Sequence, residues 1–312
     1  MIYTVTLNPA LDRELAVPTI HFNEVLRTSS LKLDYGGKGF NVSRALEALG
    51  MRSVAVGFLG GGAGLRISMG LEDLGIPVES VDIRAETRTN ISIVDEEQAR
   101  YVKVNVPGPV VTVDEQEEML QKVDDLARPG DWWVLSGSLP RGVPETFYKS
   151  LSLNIQSSGA KAVLNAKGPE MKHGCEAFPF LVKVDDENVE ALTDHAVPDP
   201  QEAAPAVRVL HEMGAKHVFV TFGFAQAVIS DGEQMWTAVA PSEDVHNPVG
   251  ARDAALAGLL WGLMNDEDWS DALRWAVASG AVSATLQGTA AASKGDVVSL
   301  LDSVEVTHLE NV

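Results

Sequence analysis

Trp132-Trp133-Val134-Leu135 is a short apolar run that breaks into Ser136-Gly137-Ser138-Leu139-Pro140-Arg141-Gly142-Val143-Pro144. An apolar run of this length, bounded by turn residues, reads as a strand buried on both faces, as in a parallel sheet. Strands of the same kind recur at 162–164, 180–184, 218–221 and 227–230, with helical stretches between them, and upstream at 2–7 and 53–59. That alternation predicts an α/β chain with a doubly wound, mostly parallel sheet. Ligands of such sheets collect beyond the carboxyl ends of the strands, so the 136–144 turn is a candidate wall of the site.

Working outward, 312 residues are enough to bury a sizeable core, and the 45% apolar and 22% charged shares are ordinary for a globular chain. There are 24 Lys and Arg against 44 Asp and Glu, a net charge of −20, which argues against a nucleic-acid or acidic-membrane binder. No apolar run approaches the roughly 20 residues of a membrane span. Cys175 is the only cysteine, and the opening residues 1–7 lack the pattern of a signal peptide; both point to a reduced, cytoplasmic setting. The seven histidines are scattered without metal-ligand spacing, so no metal ligands are assigned.

Residues 13–34 lack helical periodicity, while 90–94 and 101–106 alternate as a strand pair. They predict a strand-rich flap, drawn from roughly 10–40 and 85–110, on one main domain spanning 1–312. Asp12 follows strand 2–7 in Asn8-Pro9-Ala10-Leu11-Asp12, read as a turn; locally it is open between a turn or cap residue and a binding group. Gly36-Gly37-Lys38-Gly39-Phe40-Asn41 feeds a helix closed near Gly50, which suits close backbone approach to a ligand with Lys38 as a point charge. Arg88 is open between a solvated hairpin charge and a phosphate ligand.

Asn247-Pro248-Val249-Gly250-Ala251-Arg252-Asp253 runs into an apolar helix, 254–264. A helix N-terminus presents unpaired N–H groups and a positive dipole end to anions. Asp253 beside it is placed to act as a base on a hydroxyl nucleophile. Arg252 puts a long cation where an anion-cradling loop would want none.

These segments, in this order, resemble the PfkB-type (ribokinase-like) sugar kinases, closest to the 1-phosphofructokinase and tagatose-6-phosphate kinase branch. The resemblance spans nearly the whole chain. It rests on Thr6–Asp12, Gly36–Leu46, Thr87-Arg88-Thr89-Asn90, Asn105–Pro109, Ser136–Gly142 and Asn247–Asp253. It implies a ribokinase-like fold with a small lid and ATP-dependent phosphoryl transfer, with Mg2+, to a hexose phosphate of the tagatose-6-phosphate or fructose-1-phosphate type. Asp12, Gly37, Lys38, Asn41, Arg88, Asn90 and Ser138 would hold that sugar phosphate, with Lys38 and Arg88 on its phosphate. Asp253 would take the acceptor proton, and the backbone of Gly250, Ala251, Arg252 and Asp253 would stabilise the transition state. Lys183, Asp185, Thr221 and Gly223 would serve the nucleotide. The resemblance also implies a homodimer formed through the lid.

The nucleotide side departs from the family pattern. Arg252 replaces a glycine. Lys183-Val184-Asp185-Asp186-Glu187-Asn188 stands for Lys-Pro-Asn-x-x-Glu, a segment tied to magnesium and phosphate organisation. Gln226 takes the last glycine of the nucleotide loop, Phe224 adds bulk there, and Asn165-Ala166-Lys167-Gly168 stands for Asp-Thr-Ser-Gly. On the sugar side, Ser92 sits where fructose-phosphate members often carry a lysine. An arginine in a turn that needs positive φ would be strained. Besides the kinase, a phosphosugar-binding pseudokinase and an ATP-free phosphosugar enzyme therefore stay open.

Overall fold

The computed structural model describes residues 1–98, 100–241, 249–286 and 291–309. The chain opens with β1 (Ile2–Thr6), β2 (Ala10–Val17), β3 (Ser30–Gly36) and α1 (Lys38–Ala48), followed by β4 (Ser53–Leu59), α2 (Gly61–Asp73) and β5 (Val78–Asp82). Next come β6 (Arg88–Asp95), β7 (Arg100–Val104), α3 (Val113–Leu126), β8 (Trp132–Ser136), α4 (Phe147–Ser157), β9 (Lys161–Asn165) and α5 (Gly168–Cys175). The remainder is β10 (Leu181–Asp185), α6 (Asp186–Thr193), α7 (Ala204–Glu212), β11 (His217–Phe222), β12 (Gln226–Ser230), β13 (Met235–Val239), α8 (Ala251–Met264), α9 (Trp269–Thr285), α10 (Lys294–Leu301) and β14 (Glu305–Leu309).

The main sheet has ten strands in the order β14-β13-β12-β11-β10-β9-β8-β1-β4-β5. From β11 to β5 every neighbouring pair is parallel; β12, β13 and β14 extend that edge antiparallel. The chain winds from β1 to β4 and β5 on one side, then from β8 to β11 on the other, so the order reverses at β1. Such a reversal opens a crevice at the carboxyl ends of the strands. The strands carry apolar residues on both faces because helices cover both. Met119 and Val123 of α3 and Tyr148 and Leu151 of α4 close one face, and Leu46 of α1, Leu256 of α8 and Val277 of α9 close the other.

β3, β2, β6 and β7 form a second, four-stranded sheet, the small lid. Its two faces differ by strand alternation. Asp12 is in register with Asp34 and Asn90, and Ser92 with Glu14 and Lys103, so one face is polar. Leu33, Ile91 and Val104 align across Arg13, and Leu31, Ile93 and Val102 across Leu15, so the other is largely apolar. Asp12 is thus a mid-strand residue of β2 and not part of a turn. The reversal after β1 takes only residues 7–9, and β-pairing to β3 and β6 starts at Ala10. The antiparallel additions β13 and β14, and the short edge strand β5, were not foreseen from the apolar runs.

Candidate active site

The carboxyl ends of β8, β9, β10 and β11 and the first turns of α1 and α8 enclose a cavity of about 600 Å³. Two glycines set its rim. Gly37 caps α1 at φ 147, and a Cβ there would stand 2.5 Å from the Thr6 side chain, so Lys38 begins its helix hard against the end of β1. Gly250 caps α8 in the left-handed region, φ 85, and a Cβ there would meet no atom of the described residues within 4 Å. The N–H groups of the first turn of α8 have no intrahelical acceptors and lie along this rim. Asn247 and Pro248 of the same motif lie outside the described residues.

Asp253, in that turn, is only 5% exposed. Its Oδ2 accepts from Asn41 Nδ2 at 2.8 Å, while its buried Oδ1 has no hydrogen-bond partner among the described residues. Burial raises the Asp253 pKa above the ordinary carboxylate range; Lys38, Lys183 and Asn41 pull it down, and Asp185 pushes it up. A buried carboxylate at a cavity wall, with one oxygen not engaged by the described residues, suits a general base.

Beside it lies a dense charge network. Asp185, at the end of β10, meets Lys183 Nζ, Lys38 Nζ at 3.1 Å and the Thr221 hydroxyl at 3.0 Å. Lys183 is fully buried, and burial lowers its pKa against the pull of Asp185. Burial alone would raise Asp185, but Lys183, Lys38 and Arg252 outweigh it and hold the carboxylate well below its ordinary range. Lys38 is likewise desolvated, yet Asp253 and Asp185 hold its pKa above the ordinary value. The Gly223 N–H donates to Asp186 at 3.0 Å, which ties the β11–β12 turn to α6.

Arg252 does not fit the strain expected of it. It is the second residue of α8, in the helix, and the positive φ of the turn belongs to Gly250. Its guanidinium is directed at the loops after β10 and β11: it donates to Gly223 O at 3.1 Å, Asp186 at 2.9 Å and Glu187 at 3.1 Å. Phe224 and Asn188 are on the cavity wall. Gln226 is exposed at the first residue of β12 and does not line the cavity, so its bulk lies elsewhere than expected.

Of the residues singled out in the sequence, Lys38, Asn41, Ser138, Asp185, Gly223, Gly250, Arg252 and Asp253 line this cavity, while Lys183, Thr221 and Ala251 are buried. Asp12, Asn90 and Arg88 form a separate group on the lid. Asn90 Nδ2 donates to Asp12 at 2.7 Å, and burial raises the Asp12 pKa. Arg88 donates to the carbonyls of Asn8 at 2.9 Å, Pro9 at 3.3 Å and Val106 at 3.3 Å, so it ties both approaches to the lid together. Asn8 in turn donates to Ser138 at 3.2 Å. Lys167, just beyond β9, lines the cavity; it was noted only within the Asn165–Gly168 departure and given no role. Its place after a buried strand was the available signal. Arg44 and Asp34 were also missed, and nothing in their local sequence distinguishes them.

A doubly wound sheet with a lid, an anion-ready helix terminus and a buried carboxylate beside it is the architecture of a phosphoryl-transfer protein. Residues 7–295 match the pfkB family of carbohydrate kinases, and the chain belongs to that family. It is 31% identical to the 1-phosphofructokinase of Bacillus subtilis (strain 168), over 99% of this chain and 100% of that one. It is 30% identical to the D-tagatose-1-phosphate kinase of Klebsiella oxytoca, over 99% and 100%. Among solved structures, the phosphofructokinase-2 of Escherichia coli in complex with potassium superposes with a TM-score of 0.90 at 28% identity, over 96% of this chain and 98% of that one. The ribokinase-like fold implied by the motifs is the fold of this chain.

Proposed function

We propose that this protein transfers the γ-phosphoryl group of ATP to a hydroxyl of a ketohexose phosphate of the fructose-1-phosphate or tagatose-phosphate type. The observation that carries the reading is the buried Asp253 carboxylate, which lines the cavity in the first turn of α8 and whose Oδ1 has no hydrogen-bond partner among the described residues. Asp253 accepts the proton of the attacking hydroxyl. The N–H groups of Ala251, Arg252 and Asp253, with Lys38, stabilise the negative charge of the group in transfer. The sugar extends from Asp253 and Asn41 toward Asp12 and Asn90 on the lid, with Arg88 and Lys38 near its phosphate and Ser138 on the wall. The end lined by Gly223, Phe224 and Arg252 takes the nucleotide, backed by Lys183, Asp185 and Thr221.

The wall suits Mg2+ brought with ATP. That ion commonly uses one or two carboxylates with phosphate oxygens and water, and Asp185 and Glu187 both line the cavity. Among the described residues no cluster of three or more potential ligands exists that would hold a metal by itself. When bound, Mg2+ neutralises phosphate charge. The pseudokinase and the ATP-free enzyme, prompted by the nucleotide-side departures together, draw no support from the site: Arg252 adopts helical backbone and pairs with Asp186 and Glu187 along the cavity wall.

The partner side of the proposal is a homodimer through the lid. Its apolar face leaves Leu31, Leu33, Ile91, Val102 and Val104 exposed, and a second copy of the same face would bury them. Light scattering after size exclusion is expected to give a dimer for the parent chain and a monomer for Leu33→Asp. No helix among the described residues is long and apolar enough to cross a membrane; a cytoplasmic setting is part of the same reading. The activity itself is tested by ADP release with Mg-ATP and fructose-1-phosphate, tagatose-1-phosphate, tagatose-6-phosphate or fructose-6-phosphate. Turnover with at least one is expected, and none with Asp253→Asn.

A further inference from the structure

One hydrogen-bonded chain runs from the lid to Asp253. Asp34, on β3, accepts from Arg44 Nη1; Arg44 Nη2 donates to Asn41 Oδ1 at 2.6 Å; Asn41 Nδ2 donates to Asp253 Oδ2 at 2.8 Å. Arg44 and Asn41 are one helical turn apart on α1, so their side chains share a face. The Arg44 side chain is 11% exposed and that of Asp34 is 24% exposed, which puts the pair largely out of water. The same Asp34 oxygen, Oδ1, also accepts from the backbone N–H of Tyr35, at 2.9 Å.

The chemistry of these groups allows one orientation. A guanidinium can only donate, so the Asn41 atom facing Arg44 must be the oxygen. The amide nitrogen is then obliged to face Asp253. A flipped amide would set an oxygen against the carboxylate and an NH2 against the guanidinium, two repulsive contacts at once. With Oδ2 taken by Asn41, Oδ1 is the oxygen without a hydrogen-bond partner among the described residues. We infer that Arg44 and Asp34 are positioning residues: through the Asn41 amide they fix which oxygen of Asp253 is free, and so join lid strand β3 to the base. This inference rests on the reading of Asp253 as the base.

The groups facing Asp253 are Lys38 and Asn41 from α1 and Lys183 and Asp185 from β10. Arg44→Met also removes a nearby positive charge, which by itself raises the Asp253 pKa, whereas Asp34→Asn removes a negative one, so an upward shift shared by both variants reports on the Asn41 amide. The Asn41 bond favours the ionised carboxylate, and a freely turning amide would favour it less. The experiment uses the full chain with Arg44→Met, Arg44→Lys and Asp34→Asn. It combines kinetics in Mg-ATP and the preferred ketohexose phosphate with a carbon-13 carboxyl titration, in which the Asp253 signal is assigned by Asp253→Asn.

For Arg44→Met we expect kcat lower by about tenfold, both KM values within about twofold, and the acidic limb of the pH–rate profile moved upward. Arg44→Lys, which can still donate to both partners, is expected to recover most of the rate. Asp34→Asn should lose less, in the same direction, and it carries the test if Arg44→Met does not fold. Unchanged kcat and an unmoved limb would overturn the inference. So would equal losses in the Met and Lys variants that merely follow a fall in Tm. If the parent chain transfers no phosphoryl group, the proposed function fails separately. The carbon-13 titration then decides alone: an upward shift of Asp253 in both Arg44→Met and Asp34→Asn upholds the link, and a signal that is unmoved or moves down in Asp34→Asn removes it.

Discussion

On the lid, the candidate sugar-side residues are held by a few discrete hydrogen bonds: Asn90 donates to Asp12 and accepts from the Val106 N–H, and Arg88 donates to three main-chain carbonyls. On the cavity wall, charges hold one another. Lys183, Lys38 and Arg252 are set against Asp185, Asp186 and Glu187, and Asp185 answers to all three cations. The difference decides how far a substitution is felt. A change at Asp12, Asn90 or Arg88 alters those few contacts and the local affinity that goes with them. A change on the wall releases a buried charge, and its effect spreads to stability and to the ionisation of Asp253.

The largest expected effect falls where the two regions meet. Asp253→Asn should lower kcat by roughly 10²- to 10⁴-fold, the usual contribution of a general base. The same variant should not lose stability. Because folding raises the Asp253 pKa, the protonated form is the favoured one, and its stabilisation is lost as pH rises through the folded pKa. Asparagine resembles that protonated form, so Tm at pH 8 is expected at or above the parent value, by calorimetry. The acidic limb of kcat/KM in the parent chain is expected above the ordinary carboxylate range.

Next comes the wall. Asp185→Asn strands Lys183, which is fully buried, and removing one partner of such a pair costs about 3–5 kcal/mol. Denaturant unfolding measures it; a loss below about 1 kcal/mol would mean that the wall is no more coupled than the lid.

On the lid, Asp12→Asn removes a charged acceptor and should raise the sugar-phosphate KM about tenfold, with the ATP KM unchanged. A rise in both would erase the division between the two regions. The smallest effect is expected for Arg252→Gly, with the ATP KM up about threefold as partly exposed ion pairs are lost. A lower ATP KM in that variant would instead make Arg252 an obstacle to the nucleotide.

Much of the frame was legible because it is periodic or local. Buried strands such as Trp132–Leu135 announce themselves by composition, and the glycine-bearing turns at Gly37 and Gly250 mark helix starts. Asp12 was misread as a turn residue because strand pairing with β3 and β6 is a long-range choice that no local pattern encodes. The strain expected at Arg252 came from assigning the positive φ to the wrong residue of its turn; Gly250 carries it. Asp34 and Arg44 went unnoticed for a related reason. An ion pair between a lid strand and a helix exists only once the topology has brought them together.

The central claim, that this cavity moves a phosphoryl group from ATP to a sugar phosphate with Asp253 as base, is tested most directly by phosphorus-31 NMR of the full reaction. The parent chain, Mg-ATP and a ketohexose phosphate are predicted to give ADP and a second sugar phosphoester signal in equal amounts, with neither formed by Asp253→Asn. ATP left intact with every sugar phosphate offered, while one of them still raises the melting temperature, would contradict the account and leave a binding protein in its place.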